Sequence, residues 1–207
     1  IHGGKRFHQK MKRSSIYTVG FRRKRKSLTN YRKRVKVLSA KRPRLVVRKS
    51  LKNIQASIME YNQKGDIVRV ASHSQNLKKF GWSYNTGNIP AAYLVGYLLG
   101  KKAKNAKLEY AILDIGLSKS VKGSRLYSVL AGALDAGLSI PCSKEMLPSK
   151  DRLSGAHIAI YAQSLKKNEA LLKKQFSACI KNKIDPESIT KNFEQVKGSI
   201  DKNFDKG

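Results

Sequence analysis

The sequence predicts an α/β protein on a mixed sheet: an antiparallel meander, then a helix-strand-helix unit, with a basic N-terminal arm and a C-terminal helical extension. Three observations carry that reading. Between residues 44 and 74, three short runs rich in β-branched residues are separated by brief polar breaks. Between residues 88 and 134 the pattern changes to helix, short strand and helix. Charge divides the chain as well: residues 1–59 hold 20 of the 44 Lys and Arg and no acid, while all 13 acids lie from Glu60 onward. These breaks set the expected parts at 1–43 for the arm with a short helix, 44–162 for the α/β domain and 163–207 for the extension.

Residues 1–28 have little apolar material to bury, so Gly3-Gly4 and the run Arg22, Arg23, Lys24, Arg25, Lys26 predict an irregular cationic arm. Met11-Lys12-Arg13 is the expected usual start, with residues 1–10 upstream of it. Thr29 or Asn30 is placed to cap a short helix to about Ser39, with Tyr31, Val35 and Leu38 on one side. Arg32, Lys33, Arg34 and Lys36 surround the rest of it, a pattern that favours phosphate contact over a merely solvated face.

Leu45-Val46-Val47-Arg48 after Pro43 is the first strand, and Ile54, Ala56 and Ile58 alternating with Gln55 and Ser57 are the second. The turn Gln63-Lys64-Gly65-Asp66 leads to a third at Ile67, Val68, Val70 and Ala71. Asn88 is placed as an N-cap and Pro90 in the first turn of a helix running to about Lys104. That helix is apolar almost all round and is expected to be buried. The segment from Tyr110 to Asp114 reads as a short buried strand, and Leu126, Val129, Leu130, Ala133 and Leu134 mark a second core helix. Leu165, Leu172, Phe176 and Cys179 trace one helical stripe; Asp185-Pro186-Glu187 opens a last helix with Ile189, Phe193, Val196, Ile200 and Phe204 on one face. Those apolar residues are expected to pack back on the domain, a protein partner being the alternative.

A formal charge of +31 on 207 residues repels itself in a compact chain, so a polyanion is the expected partner. The 40% apolar content still supplies a core, which excludes a wholly disordered basic tail. Acidic lipid and nucleic acid both offer dense negative charge. The longest apolar run, from Ile89 to Gly100, is about half of a membrane span, and no signal-peptide core opens the chain. Nucleic acid is therefore favoured, and neither a membrane nor export is expected. His2, His8, His73 and His157 are scattered and Cys142 and Cys179 form no CxxC pair, so no zinc site or bridge is expected.

Asp114 sits at a strand end, where nuclease carboxylates lie, yet Asp66, Asp135 and Asp151 fall in a turn, a helix end and a loop with no shared element. Asp114 is thus expected to be structural, accepting backbone hydrogen bonds. The chain contains no GxxxxGK[ST], GxGxxG or GxSxG motif, so neither catalysis nor a cofactor is expected. Binding features are denser. His73, Ser74, Gln75, Asn76, Lys78, Lys79, Phe80, Trp82, Tyr84 and Asn85 mix bases, amides and aromatics in one loop suited to unpaired RNA bases. Trp82 equally fits a core anchor beside Gly81. The helix opening at Thr86-Gly87-Asn88 offers N–H groups to a phosphate. Lys119, Lys122 and Arg125 around Gly123 make a further basic loop, either solvated or on RNA.

Residues 21–35 (FRRKRKSLTNYRKRV) and 42–50 (RPRLVVRKS), followed by Lys78-Lys79-Phe80-Gly81-Trp82, NTGNIPAAY at 85–93 and AILDIGL at 111–117, form a specific string. It continues through VKGSR at 121–125 and GALDAGLSIP at 132–141 to Lys174-Gln175-Phe176 and Ile180-Lys181-Asn182. The chain resembles the 5S-rRNA-binding family of the large ribosomal subunit, numbered eighteen in archaea and five in eukaryotes, in its archaeal form. The resemblance implies a mixed α/β domain of ribonuclease-H-like topology with no nuclease site. It also implies a protein that holds 5S rRNA and helps attach it in the central protuberance, with 23S rRNA and neighbouring ribosomal proteins.

Carried over by position, Arg22 to Lys26, Asn30, Tyr31, Arg32, Lys33, Arg34 and the loop with Lys78, Lys79, Trp82, Asn85, Thr86 and Asn88 face RNA. Arg44, Arg48 and Lys49 add a basic sheet edge, with His73 and Ser74 at the loop's start. Residues 1–15 do not match the family, and the insertion that eukaryotic members carry before the Asp114 strand is missing. The rival reading is a chromatin-type basic protein for which RNA is incidental.

Overall fold

Three β-branched runs next to one another in sequence have little choice but to pair, and they do. The computed structural model describes residues 18–204; the expectations for Gly3-Gly4, Met11, His2, His8 and residues 1–15 lie outside them. Strands β1 (Arg44–Lys49), β2 (Ile54–Glu60) and β3 (Ile67–His73) form an antiparallel meander. Strand β4 (Ile112–Asp114) joins β1 in parallel, giving the order β3-β2-β1-β4 and a mixed sheet. Leu45 and Val47 of β1 and Ile54, Ala56 and Ile58 of β2 are buried in the core. The period of two then sends Arg44, Val46 and Arg48 to the opposite face.

The inner face is covered by α3 (Ile89–Asn105) and α4 (Arg125–Asp135). Asn88 caps α3 by accepting from the Ala91 N–H at 2.9 Å. These two helices cross at backbone contact, because a Cβ on Gly96 would strike the Val129 carbonyl and one on Gly132 the Tyr93 carbonyl. Small residues at the crossing let large ones, such as Leu94, Leu98 and Leu130, fill the space against the sheet.

The chain outside the sheet carries α1 (Arg22–Arg25) and α2 (Tyr31–Leu38) before it, and α5 (Lys150–Ser154), α6 (Ala156–Leu165), α7 (Glu169–Gln175), α8 (Ser177–Lys181) and α9 (Ile189–Phe204) after it. Ile189, Phe193, Val196 and Ile200 of α9 are buried in the main core cluster, so this helix packs back on the domain as its spacing predicts. Polar contacts fix its register against α3: Tyr97 Oη donates to Asp201 at 2.7 Å, and Lys101 pairs with the same carboxylate at 2.8 Å.

Four expectations need correction. The arm is not irregular throughout, since α1 closes one turn, with Arg23 Nε donating to Thr29 Oγ1 at 2.7 Å. The loop from His73 is largely a 3-10 helix, Ser74–Phe80, which Gly81 ends in the left-handed region at φ 93°. The segment 110–114 is not a buried strand: β4 has three half-buried residues, because it is an edge strand with one neighbour. The stripe through Leu165, Leu172, Phe176 and Cys179 is broken over three helices, with Asn168 restarting the chain by accepting from the Leu171 N–H at 3.3 Å.

Candidate nucleic-acid interface

The arm's helix is set up locally. Asn30, rather than Thr29, caps α2 by accepting from the Lys33 N–H at 3.1 Å, and Phe21 lies against Tyr31 with ring centroids 5.1 Å apart. None of the eight residues of α2 is buried. Across from it, a groove of about 870 Å³ runs to the β4 edge, with Arg23, Lys33, Arg34, Lys36 and Arg48 among its lining and Ile115 to Ser118 on the far wall. Arg22, Lys24, Arg25, Lys26 and Arg32 are exposed around it on the arm. Such an open cationic trough matches a phosphate backbone better than a small molecule.

Behind the groove lies an ion-pair network that the sequence reading did not foresee. Arg44 is 2% exposed, and its guanidinium meets Asp66 at 2.7 Å and Asp114 at 3.0 Å. Arg48 donates to the Asp114 carbonyl at 2.8 Å and reaches its carboxylate at 3.3 Å. Gly116, at φ 60°, leaves room there, since a Cβ would lie 2.9 Å from the Arg48 guanidinium carbon. Its N–H donates to Asp114 at 2.8 Å. Asp114 thus accepts a backbone hydrogen bond, as expected, and is held by two arginines as well. Burial would raise the Asp66 carboxyl, but hydrogen bonds from Arg44 and Arg34 and their charges outweigh it and hold the group below its ordinary value. Asp66, in the connection before β3, and Asp114, at the end of β4, are remote in sequence yet converge on one guanidinium at the start of β1. Among the described residues no three His, Cys, Asp or Glu side chains are grouped to hold a metal ion.

Several nominated residues do not belong on an RNA-facing surface. Arg44 is a buried counter-ion, for the reason just given. Ser74 is buried, accepting from the Ile54 N–H at 3.1 Å. Trp82 is 2% exposed, lies tilted against Tyr84 with ring centroids 5.5 Å apart and donates to the Asn85 carbonyl at 3.2 Å, so the core-anchor alternative holds. Around Trp82 the cause is α9 and the turn that leads into it: Tyr84 Oη donates to the Asp185 carbonyl at 2.5 Å, and Asn192 of α9 donates to the Gly81 carbonyl at 3.1 Å.

Other nominated groups face inward in part. Thr86 Oγ1 donates to the Lys52 carbonyl at 2.9 Å, and Arg125 donates to the Gly87 carbonyl at 2.8 Å. Together they tie the β1–β2 hairpin to the mouths of α3 and α4. The junction is close at Gly87, where a Cβ would sit 3.0 Å from the Lys52 carbonyl oxygen. Asn85 accepts from the Gly87 N–H at 2.8 Å, and His73 Nδ1 accepts from the Gln75 N–H at 3.2 Å.

Lys49, Lys78, Lys79, Lys119 and Lys122 remain exposed. Lys78 and Lys79 do not line the groove. Lys79 acts instead on Lys102, whose ammonium is pushed below its ordinary value first by burial and then by Lys79. Lys119 directly follows the groove wall at Ser118. The residues nominated as one surface therefore fall into a groove group and a Lys78–Lys79 group.

Among the described residues no helix is long and apolar enough to cross a membrane. Fold and site thus define a strongly basic α/β protein with a cationic trough along one sheet edge. A family model described as "Ribosomal large subunit proteins 60S L5, and 50S L18" matches residues 15–110 and 101–143, more than half of the chain, and the chain belongs to that family. It is a structural protein of the large ribosomal subunit, with rRNA and ribosomal proteins as its partners.

Proposed function

We propose that this chain binds 5S rRNA and helps to attach it to 23S rRNA in the central protuberance, without catalysing a reaction. The acid-free arm supports this most: its helix lines, together with the sheet edge, a groove of about 870 Å³ whose lining includes Arg23, Lys33, Arg34, Lys36 and Arg48. The RNA-facing set on this reading is Arg22 to Lys26, Asn30 to Arg34, Lys36 and Arg48 around the groove, together with the exposed Lys49, Lys119 and Lys122. Lys78, Lys79 and the exposed Asn85 would make a second contact. Ile160, Tyr161, Leu171 and Ile180 stay exposed on α6, α7 and α8 and would meet neighbouring ribosomal proteins. Filter-binding competition tests the reading. 5S rRNA is expected to outcompete duplex DNA and a random RNA of equal length. Six phosphate contacts would give a log–log salt slope of about −4 to −5. Duplex DNA binding as tightly as 5S rRNA would favour the chromatin-type reading instead.

A further inference from the structure

A carboxylate on a surface that meets a polyanion repels it, so Asp66 on the groove wall calls for a reason. We propose that Asp66 is a positioning residue of the RNA interface: its carboxylate fastens Arg34 of α2 to Arg44 of the sheet and so fixes the arm helix over the groove. The inference rests on the RNA-binding reading of that groove.

The geometry carries it. Arg34 Nη2 lies 3.0 Å from both oxygens of Asp66, and Arg44 meets the second oxygen at 2.7 Å. Among the described residues this is the only ion pair that joins α2 to the sheet. The apolar contact beside it is thin, since Tyr31, Val37 and Leu38 are only half-buried, α2 has no fully buried residue and Val35 is 63% exposed. The far end of the clamp is rigid: the Arg44 side chain is 2% exposed and is held from its other side by Asp114. A mobile cation needs a fixed anion to be positioned, and Asp66 is anchored where Arg34 is not. Within the network three guanidiniums face two carboxylates, so one positive charge is left over for phosphate. Holding α2 in place before RNA arrives lowers the ordering cost of binding.

The proposal makes a prediction opposite in sign to simple charge counting. Asp66→Asn and Glu60→Gln each remove one negative charge from the full-length protein. Among the described residues Glu60 pairs only with Arg69, at 2.7 Å, and does not line the groove. By charge alone both variants bind 5S rRNA more tightly. With Asp66 as the clamp, Glu60→Gln binds as well as or better than the parent, while Asp66→Asn binds about fivefold more weakly, as when the competent fraction falls to about a fifth. Hydrogen exchange of the α2 amides in the RNA-free protein gives a second reading, and it should speed up in Asp66→Asn and in Arg34→Gln. Arg34→Gln leaves the Arg44–Asp66–Asp114 core intact, so it decides the matter if Asp66→Asn unfolds. Unchanged α2 exchange in Arg34→Gln, or a folded Asp66→Asn that binds RNA as tightly as the parent, overturns the clamp. A parent protein that does not select 5S rRNA would defeat the function proposed above instead, with the exchange data still testing the clamp.

Discussion

Helices α2 and α9 both lie at the edge of the domain with one apolar stripe each, yet they are held by different forces. The α9 stripe sinks four side chains into the core, and its polar flank is pinned by Tyr97, Lys101 and Asp201. The α2 stripe buries nothing, and the helix is tied to the sheet through Arg34 and Asp66. Burial of a large apolar side chain is worth about 1.5–3 kcal/mol, whereas an exposed ion pair contributes about 0–1 kcal/mol. One end of the chain is therefore built for permanence. The other keeps its cations in water, where a phosphate backbone can reach them.

The contrast can be broken most forcefully at the roof of the 81–84 loop. Trp82→Ala should destabilise the domain by about 3–5 kcal/mol, since a large buried ring leaves a cavity under α9. A melting temperature close to the parent's would mean that α9 does not rest on this loop. At the next crossing, Gly132→Ala should cost about 3 kcal/mol, because the new methyl meets the Tyr93 backbone carbonyl and no flexible side chain can yield.

A paired comparison sharpens the difference between the two helices. Ile200→Ala on α9 should cost about 2–5 kcal/mol, and Val35→Ala on α2 should stay within about 0.5 kcal/mol, both read from denaturant midpoints. Equal losses would refute the distinction.

Acid should loosen both attachments. Burial raises the Asp201 carboxyl, but hydrogen bonds from Lys101 and Tyr97 lower it further, so its folded-state value lies below the ordinary one. Its contribution is complete above about pH 4, the unfolded value, and disappears as pH falls through the depressed folded one. The same sign applies to Asp66. Asp201→Asn should flatten the acid limb of a melting-temperature profile, and an unchanged limb would place the loss elsewhere. The smallest effect on stability belongs to the arm: Lys24→Gln with Lys26→Gln should leave the melt unchanged while reducing the RNA salt slope by about 1–2.

Much of the frame was legible because it depends on local chemistry. Asn30 and Asn88 cap the helices they precede, and Pro90 lies within the first turn of α3. The alternation in Ile54, Ala56 and Ile58 marked β2, and the spacing of Ile189, Phe193, Val196 and Ile200 gave α9 its buried face. The candidate site was legible in charge but not in contact. Trp82 and Ser74 look like loop residues until α9 and β2 close over them. Arg44 and Arg48 alternate with Leu45 and Val47, a signal that they share the outer face, but nothing in that pattern names their partners.

By itself, then, the sequence determined where the chain is apolar, where it turns and where its positive charge accumulates, because propensity, capping and composition act over a few residues. The family follows from the same string. Only the tertiary structure decided which cations are free. Asp66 and Asp114 reach Arg44 across 22 and 70 residues of chain because the fold brings the β2–β3 connection and the end of β4 to the start of β1, and that pairing takes Arg34, Arg44 and Arg48 partly or wholly out of the pool. Coulomb attraction depends on distance in space, and sequence separation does not encode it.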